Sequence, residues 1–116
     1  MQSQLGSSRV EDTIREAAAL IRSARYLTAF TGAGISVESG IPPFRGPGGL
    51  WSKYDPRMLE LSYFLAHPDK SWPVIREIFY EHFGTAKPNA AHLVLARLET
   101  EGRLKCLITQ NIDSVL

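Results

Sequence analysis

Apolar positions along the chain alternate between helical spacing and short unbroken runs. Ile14, Ala18 and Ile21 share one helical face, and Ser8 followed by Glu11 has the form of a capping box. The pattern therefore predicts a first helix opening at Ser8 and closing near Ser23. "YLTAFT", Tyr26 to Thr31, is short, apolar and aromatic-rich, which predicts a strand buried on both faces in a parallel sheet. Asp55-Pro56 reads as an N-cap with proline at the first helical position. That helix carries Leu59, Tyr63, Leu65 and Ala66 and ends at His67-Pro68. A second begins near Ser71 to Pro73 and stops at Gly84. A third starts around Pro88-Asn89, carries Leu93, Leu95 and Leu98, and ends at Gly102, after which "LKCLIT", Leu104 to Thr109, is a second strand.

Helix, strand, glycine loop, helices, strand is the order of a βαβ-type unit with a long helical crossover. The fold class expected is α/β: a Rossmann-like βαβ portion of a parallel sheet with a helix-rich crossover. In open parallel sheets ligands bind beyond the carboxyl ends of the strands. Two polar segments fall at that edge, "TGAGISVESGIPPFRG" (Thr31 to Gly46) and "TQNID" (Thr109 to Asp113). Glycine frees the backbone to approach a ligand, and proline fixes the turn beyond it.

Composition removes several other classes. With 116 residues, 44% of them hydrophobic, and a net charge of +1, the chain is at most one globular domain with no electrostatic case for nucleic acid or an anionic membrane. Its longest apolar runs, "AAALI" and "CLI", are far too short to span a bilayer. "MQSQLGSSRVED" has no apolar signal-peptide core, so the expectation is a soluble cytoplasmic protein. Cys106 is the single cysteine, reads as a packed core thiol, and leaves no zinc cluster within this sequence. Trp51, Trp72, Phe79, Tyr80 and Phe83 read as core.

Simple motif tests fail in part. Gly32-Ala33-Gly34-Ile35-Ser36-Val37 places valine at the third glycine of the dinucleotide fingerprint. No G-K-[ST] follows for a P-loop, and Gly34-Ile35-Ser36-Val37-Glu38 ends in glutamate where a nucleophile elbow needs glycine. A different Rossmann-like oxidoreductase is thereby disfavoured. Taken together and in order, however, "GAGIS" (Gly32 to Ser36), "GIPPFRG" (Gly40 to Gly46), "PNAAH" (Pro88 to His92) and "TQNID" resemble the sirtuin family of NAD-dependent protein deacylases. The resemblance runs from about Val10 to Asp113.

That resemblance implies NAD as cofactor, an acyl-lysine protein or peptide as substrate, and residues 1–116 as a partial Rossmann-like NAD-binding domain. It implies that Gly32, Ala33 and Gly34 approach the cofactor phosphates through backbone groups, with Ser36 in the same loop. Arg45 would meet phosphate and ribose oxygens with its fork of donors. Phe44 would shield the reactive ribose carbon, and Gln110 and Asn111 would lie by the nicotinamide ribose, Asn111 holding a water. Ile41, Ile112 and Asp113 would line the nicotinamide subsite. Asn111 and Asp113 are the catalytic candidates, supporting loss of nicotinamide and capture of the ribose carbon by the acyl oxygen.

Two departures accompany the match. Pro43 stands where the family has aspartate, which removes an acceptor and stiffens the loop. The family's general-base histidine, its four-cysteine zinc module and its remaining strands follow the "QNID" motif and have no counterpart here; zinc is expected only in that missing half. His67, His82 and His92 read as structural, His92 as a hydrogen-bonding residue. The alternative reading is a non-catalytic nucleotide-binding or protein-interaction unit, and an open sheet edge raises the prospect of self-association.

Overall fold

The computed structural model describes residues 2–116, with side chains from residue 6 onward. Helix α1 (Gln2–Ser23) leads into strand β1 (Leu27–Thr31), which runs straight into a tight 3-10 turn (Ala33–Ser39). A helical crossover follows: α2 (Leu50–Lys53), a 3-10 turn (Pro56–Leu59), α3 (Leu61–Ala66), α4 (Pro68–Arg76) and a π-helical turn (Glu77–His82). Helix α5 (Ala90–Thr100) then returns the chain to β2 (Leu104–Thr109). The two strands pair in parallel, Thr28 opposite Cys106 through Thr31 opposite Thr109, with a bulge between Leu27 and Thr28. A parallel pair needs a long connection, and the helices between Leu50 and Thr100 supply it.

The expected α/β class and both strands are present, but several expectations need correction. α1 opens at Gln2, so Ser8 is interior and does not cap it. A capping signature marks an end only where the upstream chain resists helix, and Gln2–Ser7 contains no proline and a single glycine, worth about 1 kcal/mol. The face carrying Ile14 and Ile21 is exposed. β1 begins one residue later than expected and is covered on one side only: Leu27, Ala29 and Thr31 are sheltered while Phe30 is 70% exposed.

The crossover is broken more finely than its apolar pattern suggests. Asp55 caps a short 3-10 turn, accepting from the Arg57 amide at 3.0 Å, and α3 starts separately at Leu61. The residue before a proline avoids the α region, so His67 (φ −137°, ψ 62°) ends α3 and Pro68 starts α4, three residues before Ser71. The hydrophobic core lies here, in Leu50, Val74 and Ile78 with Met58, Phe79 and Phe83 packed around them. Trp72 and Tyr80, read as core from sequence, instead face solvent, because α4 turns Ser71 and Val74 inward and the π turn after it turns Ile78 inward.

α5 is cut as its sequence predicts. Asn89 accepts from the Ala91 amide, and the His92 ring accepts from the Asn89 amide, a reciprocal cap. Gly102, at φ 76°, ends the helix in the left-handed region that glycine adopts without strain. Among the described residues no helix is long and apolar enough to cross a membrane.

Candidate functional site

The carboxyl ends of β1 and β2 lie side by side, so the two polar motifs meet at one rim. The Gln110 amide donates to the Thr31 carbonyl at 3.2 Å, extending the ladder one step past β2. The Asn111 side-chain amide then donates to the Gly32 carbonyl at 2.8 Å. A Cβ on Gly32 would stand 2.6 Å from the Gln110 side-chain nitrogen. Gly32 itself is extended, φ −126°, so what its missing side chain provides is room for the Gln110 amide, which would otherwise have to move aside. Gly34 has open space around it. Beyond the 3-10 turn Gly40 adopts φ 89°, and the Ile41 amide reaches back to the Ser36 carbonyl at 3.3 Å.

The segment Gly40 to Trp51 folds back on itself. The Leu50 amide donates to the Pro43 carbonyl at 2.7 Å and the Trp51 amide to the Phe44 carbonyl at 2.9 Å. That return stacks Phe44 on Trp51, ring centroids 5.4 Å apart and planes 25° from parallel. Pro43 keeps its one hydrogen-bonding group, the carbonyl, in use. Arg45 is exposed, and among the described residues it forms no ion pair.

Two adjoining cavities result. An outer one of about 560 Å³ is lined by Ala33, Pro43, Phe44, Arg45, Trp51, Gln110 and Asn111. An inner one of about 50 Å³ shares the walls Ala33, Phe44, Gln110 and Asn111 and adds Ile41, Ile112 and Asp113. Leu50, Ile78 and Phe83 complete its apolar side. Phe44 is thus common to both compartments. A larger open groove, about 780 Å³, runs past Trp72, Arg76 and Tyr80 on the helical layer and shares no residue with either motif.

Behind the inner cavity, Ser36 is 0% exposed and donates to Asp113 Oδ2 at 2.6 Å, while the Val115 amide donates to Asp113 Oδ1 at 3.2 Å. His92 Nε2 lies 3.5 Å from Ser36 Oγ. Ser36, His92 and Asp113 have the composition of a hydrolase triad but not its geometry. The serine hydroxyl donates its hydrogen bond to the carboxylate and is sealed from solvent, so it is no nucleophile. Asp113, 8% exposed, keeps both oxygens occupied.

Of the residues singled out from sequence, Ala33, Ile41, Phe44, Arg45, Gln110, Asn111, Ile112 and Asp113 line one or both cavities. Gly32 and Ser36 lie behind the wall, and Gly34 is exposed. His67, His82 and His92 line neither cavity. Sequence reasoning missed Trp51, Leu50, Ile78 and Phe83. Trp51 had a signal: the glycines at 46, 48 and 49 allow the chain to double back, so that residues 44 and 51 meet. Ile78 and Phe83 had none, because they reach the site through a π turn, whose widened register re-aims side chains. Among the described residues no group of three His, Cys, Asp or Glu is placed to hold a metal.

Comparison with known proteins agrees with the resemblance. The Sir2 family model matches residues 32–115. The NAD-dependent protein deacetylase of Caldivirga maquilingensis is 49% identical over 104 residues, covering 87% of this chain and 39% of its own. A Sir2 variant solved with a deacetylated p53 peptide and 3'-O-acetyl ADP-ribose superposes with TM-score 0.81 at 40% identity, over 88% of this chain and 41% of that one. A Sir2 complex with p53 peptide and NAD+ gives TM-score 0.75 at 38% identity, over 88% and 40%. The chain therefore spans about two fifths of the length of the relatives it matches. With the match extending over both rim motifs and the helices between them, the chain belongs to the Sir2 family.

Proposed function

We propose that these residues form the NAD-binding part of an NAD-dependent protein-lysine deacylase. The observation that carries the reading is the pair of joined cavities at the strand ends, with Phe44 between them and an uncommitted arginine at the outer mouth. The residues fit the cofactor. The outer compartment has the size of an ordinary small-molecule site and carries the cation and amide donors that a pyrophosphate and ribose need. The inner one is small and mostly apolar with one carboxylate, which suits a flat carboxamide-bearing ring.

NAD, when bound, supplies a ribose carbon that an acyl oxygen attacks as nicotinamide leaves. The chain's own part is to hold and orient. Arg45 pairs with phosphate, and the backbone of Gly32, Ala33 and Gly34 leaves room for close approach. Gln110 and Asn111 present amides to the ribose from a ladder fixed at Thr31 and Gly32. Phe44, shared by both cavities, would stand between the nicotinamide ring and the ribose carbon. Ile41, Ile112 and Asp113, which line the inner cavity, would hold the nicotinamide.

The substrate in this reading is an acyl-lysine peptide and the compartment the cytoplasm. In this reading residues 1–116 are a partial domain, and the family's general-base histidine, zinc module and remaining strands fall in the part of the relatives' length that these residues do not span. By itself the chain binds NAD without deacylating lysine. General-base assistance contributes about a hundred- to ten-thousand-fold, and neither cavity has a histidine in its wall.

The deciding experiment is calorimetric titration with NAD and with ADP-ribose. Binding is expected for the wild type, and Arg45→Ala should weaken it by about 1.5–3 kcal/mol, the scale of a charge-assisted hydrogen bond. Equal affinities would remove Arg45 from the site. Absence of wild-type binding would favour a non-catalytic protein-interaction unit. Nicotinamide release with an acetyl-lysine peptide should be seen for the full-length Caldivirga relative and not for this chain; comparable rates would overturn the assignment of the base.

A further inference from the structure

We infer that Pro43 is a specificity-determining residue of the outer cavity: it holds the loop closed before a ligand arrives, and it leaves Arg45 free for a polyanion. The inference rests on the cavity reading above for the identity of that ligand, a dinucleotide carrying a pyrophosphate. Three consecutive residues form one wall of the site, Ile41 and Pro42 at the inner cavity and Pro43 at the outer. Ile41 and Pro42 each precede a proline, which keeps both out of the α region, and each proline ring fixes its own φ near about −65°. The segment is therefore a short rod that delivers Phe44 in one direction.

The far arm of the loop is built to meet that rod. Gly46 and Gly48 take φ 91° and 72°, and a Cβ on Gly49 would stand 2.9 Å from the Arg45 carbonyl carbon. The Gly49 amide donates to the Gly46 carbonyl at 3.0 Å and closes the reversal. Leu50 then returns to the Pro43 carbonyl and Trp51 to Phe44, with Leu50 itself buried in the core. The loop is thus ordered without a ligand, and a preorganised site loses less entropy on binding.

Charge supplies the other half. Among the described residues, Arg45 is the one charged side chain in the wall of the outer cavity, and it forms no ion pair. The chain itself shows what a carboxylate at position 43 would do. Asp55 stands two residues before Arg57, the spacing of 43 and 45, and its Oδ2 accepts from that guanidinium at 3.0 Å. An aspartate at 43 would have the same reach, would compete with phosphate for Arg45, and would add a like charge beside the phosphates. Proline does neither.

Pro43→Asn and Pro43→Asp separate the two effects, because they share size and backbone freedom and differ in charge. In the ligand-free chain, hydrogen exchange at the Leu50 and Trp51 amides should quicken in both variants. The Arg45 Nε–H should exchange freely with water in the wild type and in Pro43→Asn, and should be protected in Pro43→Asp. ADP-ribose affinity, by calorimetric titration, should fall about two- to fivefold in Pro43→Asn, the scale of a proline's effect on chain freedom. Pro43→Asp should bind about three- to fivefold more weakly again at low salt. The two variants should converge near 1 M salt, where the screening length is about 3 Å. Unchanged exchange at Leu50 and Trp51 overturns the closed loop. Equal affinity and equal Arg45 exchange in the two variants overturn the free arginine, as does a gap between them that salt leaves intact. If the wild type takes up no ADP-ribose, the NAD reading fails, and the amide exchange with the Arg45 signal still decides this inference.

Discussion

Phe44 and Arg45 are adjacent, yet the chain anchors them differently. Phe44 is held by its own carbonyl and by the Trp51 ring, whereas the Arg45 side chain is left to solvent. A wall that separates two compartments must stay in place, and a cation that meets a mobile anion need not. Trp51→Ala removes the stack and leaves Phe44 free to swing. Offset aromatic pairs contribute about 0.5–1.5 kcal/mol, so ADP-ribose affinity in this variant should drop about two- to tenfold by titration. Unchanged affinity would mean that Phe44 is fixed by its backbone alone. This pairing also marks what sequence could supply. Residues 110 to 113 and 41 to 45 were legible because each motif is contiguous and enters the site as a unit. Ile78 and Phe83 were not, since the π turn that delivers them depends on packing against Leu50 rather than on a local signature.

At the scale of elements, α5 is better anchored at its start than along its length. The Asn89 side chain caps the helix through Oδ1, and its Nδ2 donates to the Ile35 carbonyl at 2.7 Å and to Ser39 Oγ at 3.0 Å. The same residue therefore starts α5 and braces the 3-10 turn that carries the glycine motif. Asn89→Ala should lose about 2–3 kcal/mol, a cap and two further hydrogen bonds, whereas Asn89→Asp keeps the cap and loses the brace. Chemical denaturation of both would show the step between them; equal losses would mean that the brace contributes nothing. Asp55 makes a second, pH-dependent cap. Its hydrogen bonds from the Arg57 side chain, then from the Arg57 amide, hold its carboxyl below the ordinary carboxylate value. A depressed folded pKa gives stability that is present above the unfolded pKa and is lost as pH falls through the folded one. Relative to Asp55→Asn, which cannot titrate, the wild-type melting advantage should be flat from about pH 5 to 8 and shrink below about pH 4. An advantage that shrank near neutral pH would point to a different group. The cap was legible in "DP"; the separation of the turn from α3 was not, because the apolar residues on either side continue one helical spacing across it.

For the molecule as a whole, the exposed surface is the quantity that decides behaviour. A folded monomer of 12.9 kDa is expected to expose about 6,300 Å², and this chain exposes 8866 Å². Its radius of gyration, 18.5 Å, likewise exceeds the roughly 13 Å of a compact domain of this length. The excess has a definite location. α5 packs along β2, while Phe30 and Ile108, paired across the strands, stay exposed, Phe30 edging an open groove beside Val94 and Leu95 of α5. α1 presents Val10, Ile14 and Leu20 to solvent. Sequence predicted both faces of β1 as buried because an apolar strand reads the same whether or not its cover lies within the chain. Among the described residues the two parallel strands have no third strand on either outer edge, which offers free backbone groups to another copy. In isolation the chain should therefore self-associate through this sheet and unfold with low cooperativity. Sedimentation velocity should show a mass that rises with concentration, and Ile108→Lys, which places a charge on the bare face, should shift the chain toward monomer without weakening ADP-ribose binding, since Ile108 lines neither cavity. A sharply unfolding monomer at all concentrations would mean that the exposed face is tolerated as it stands. Association unchanged by Ile108→Lys would move the contact from the sheet to α1.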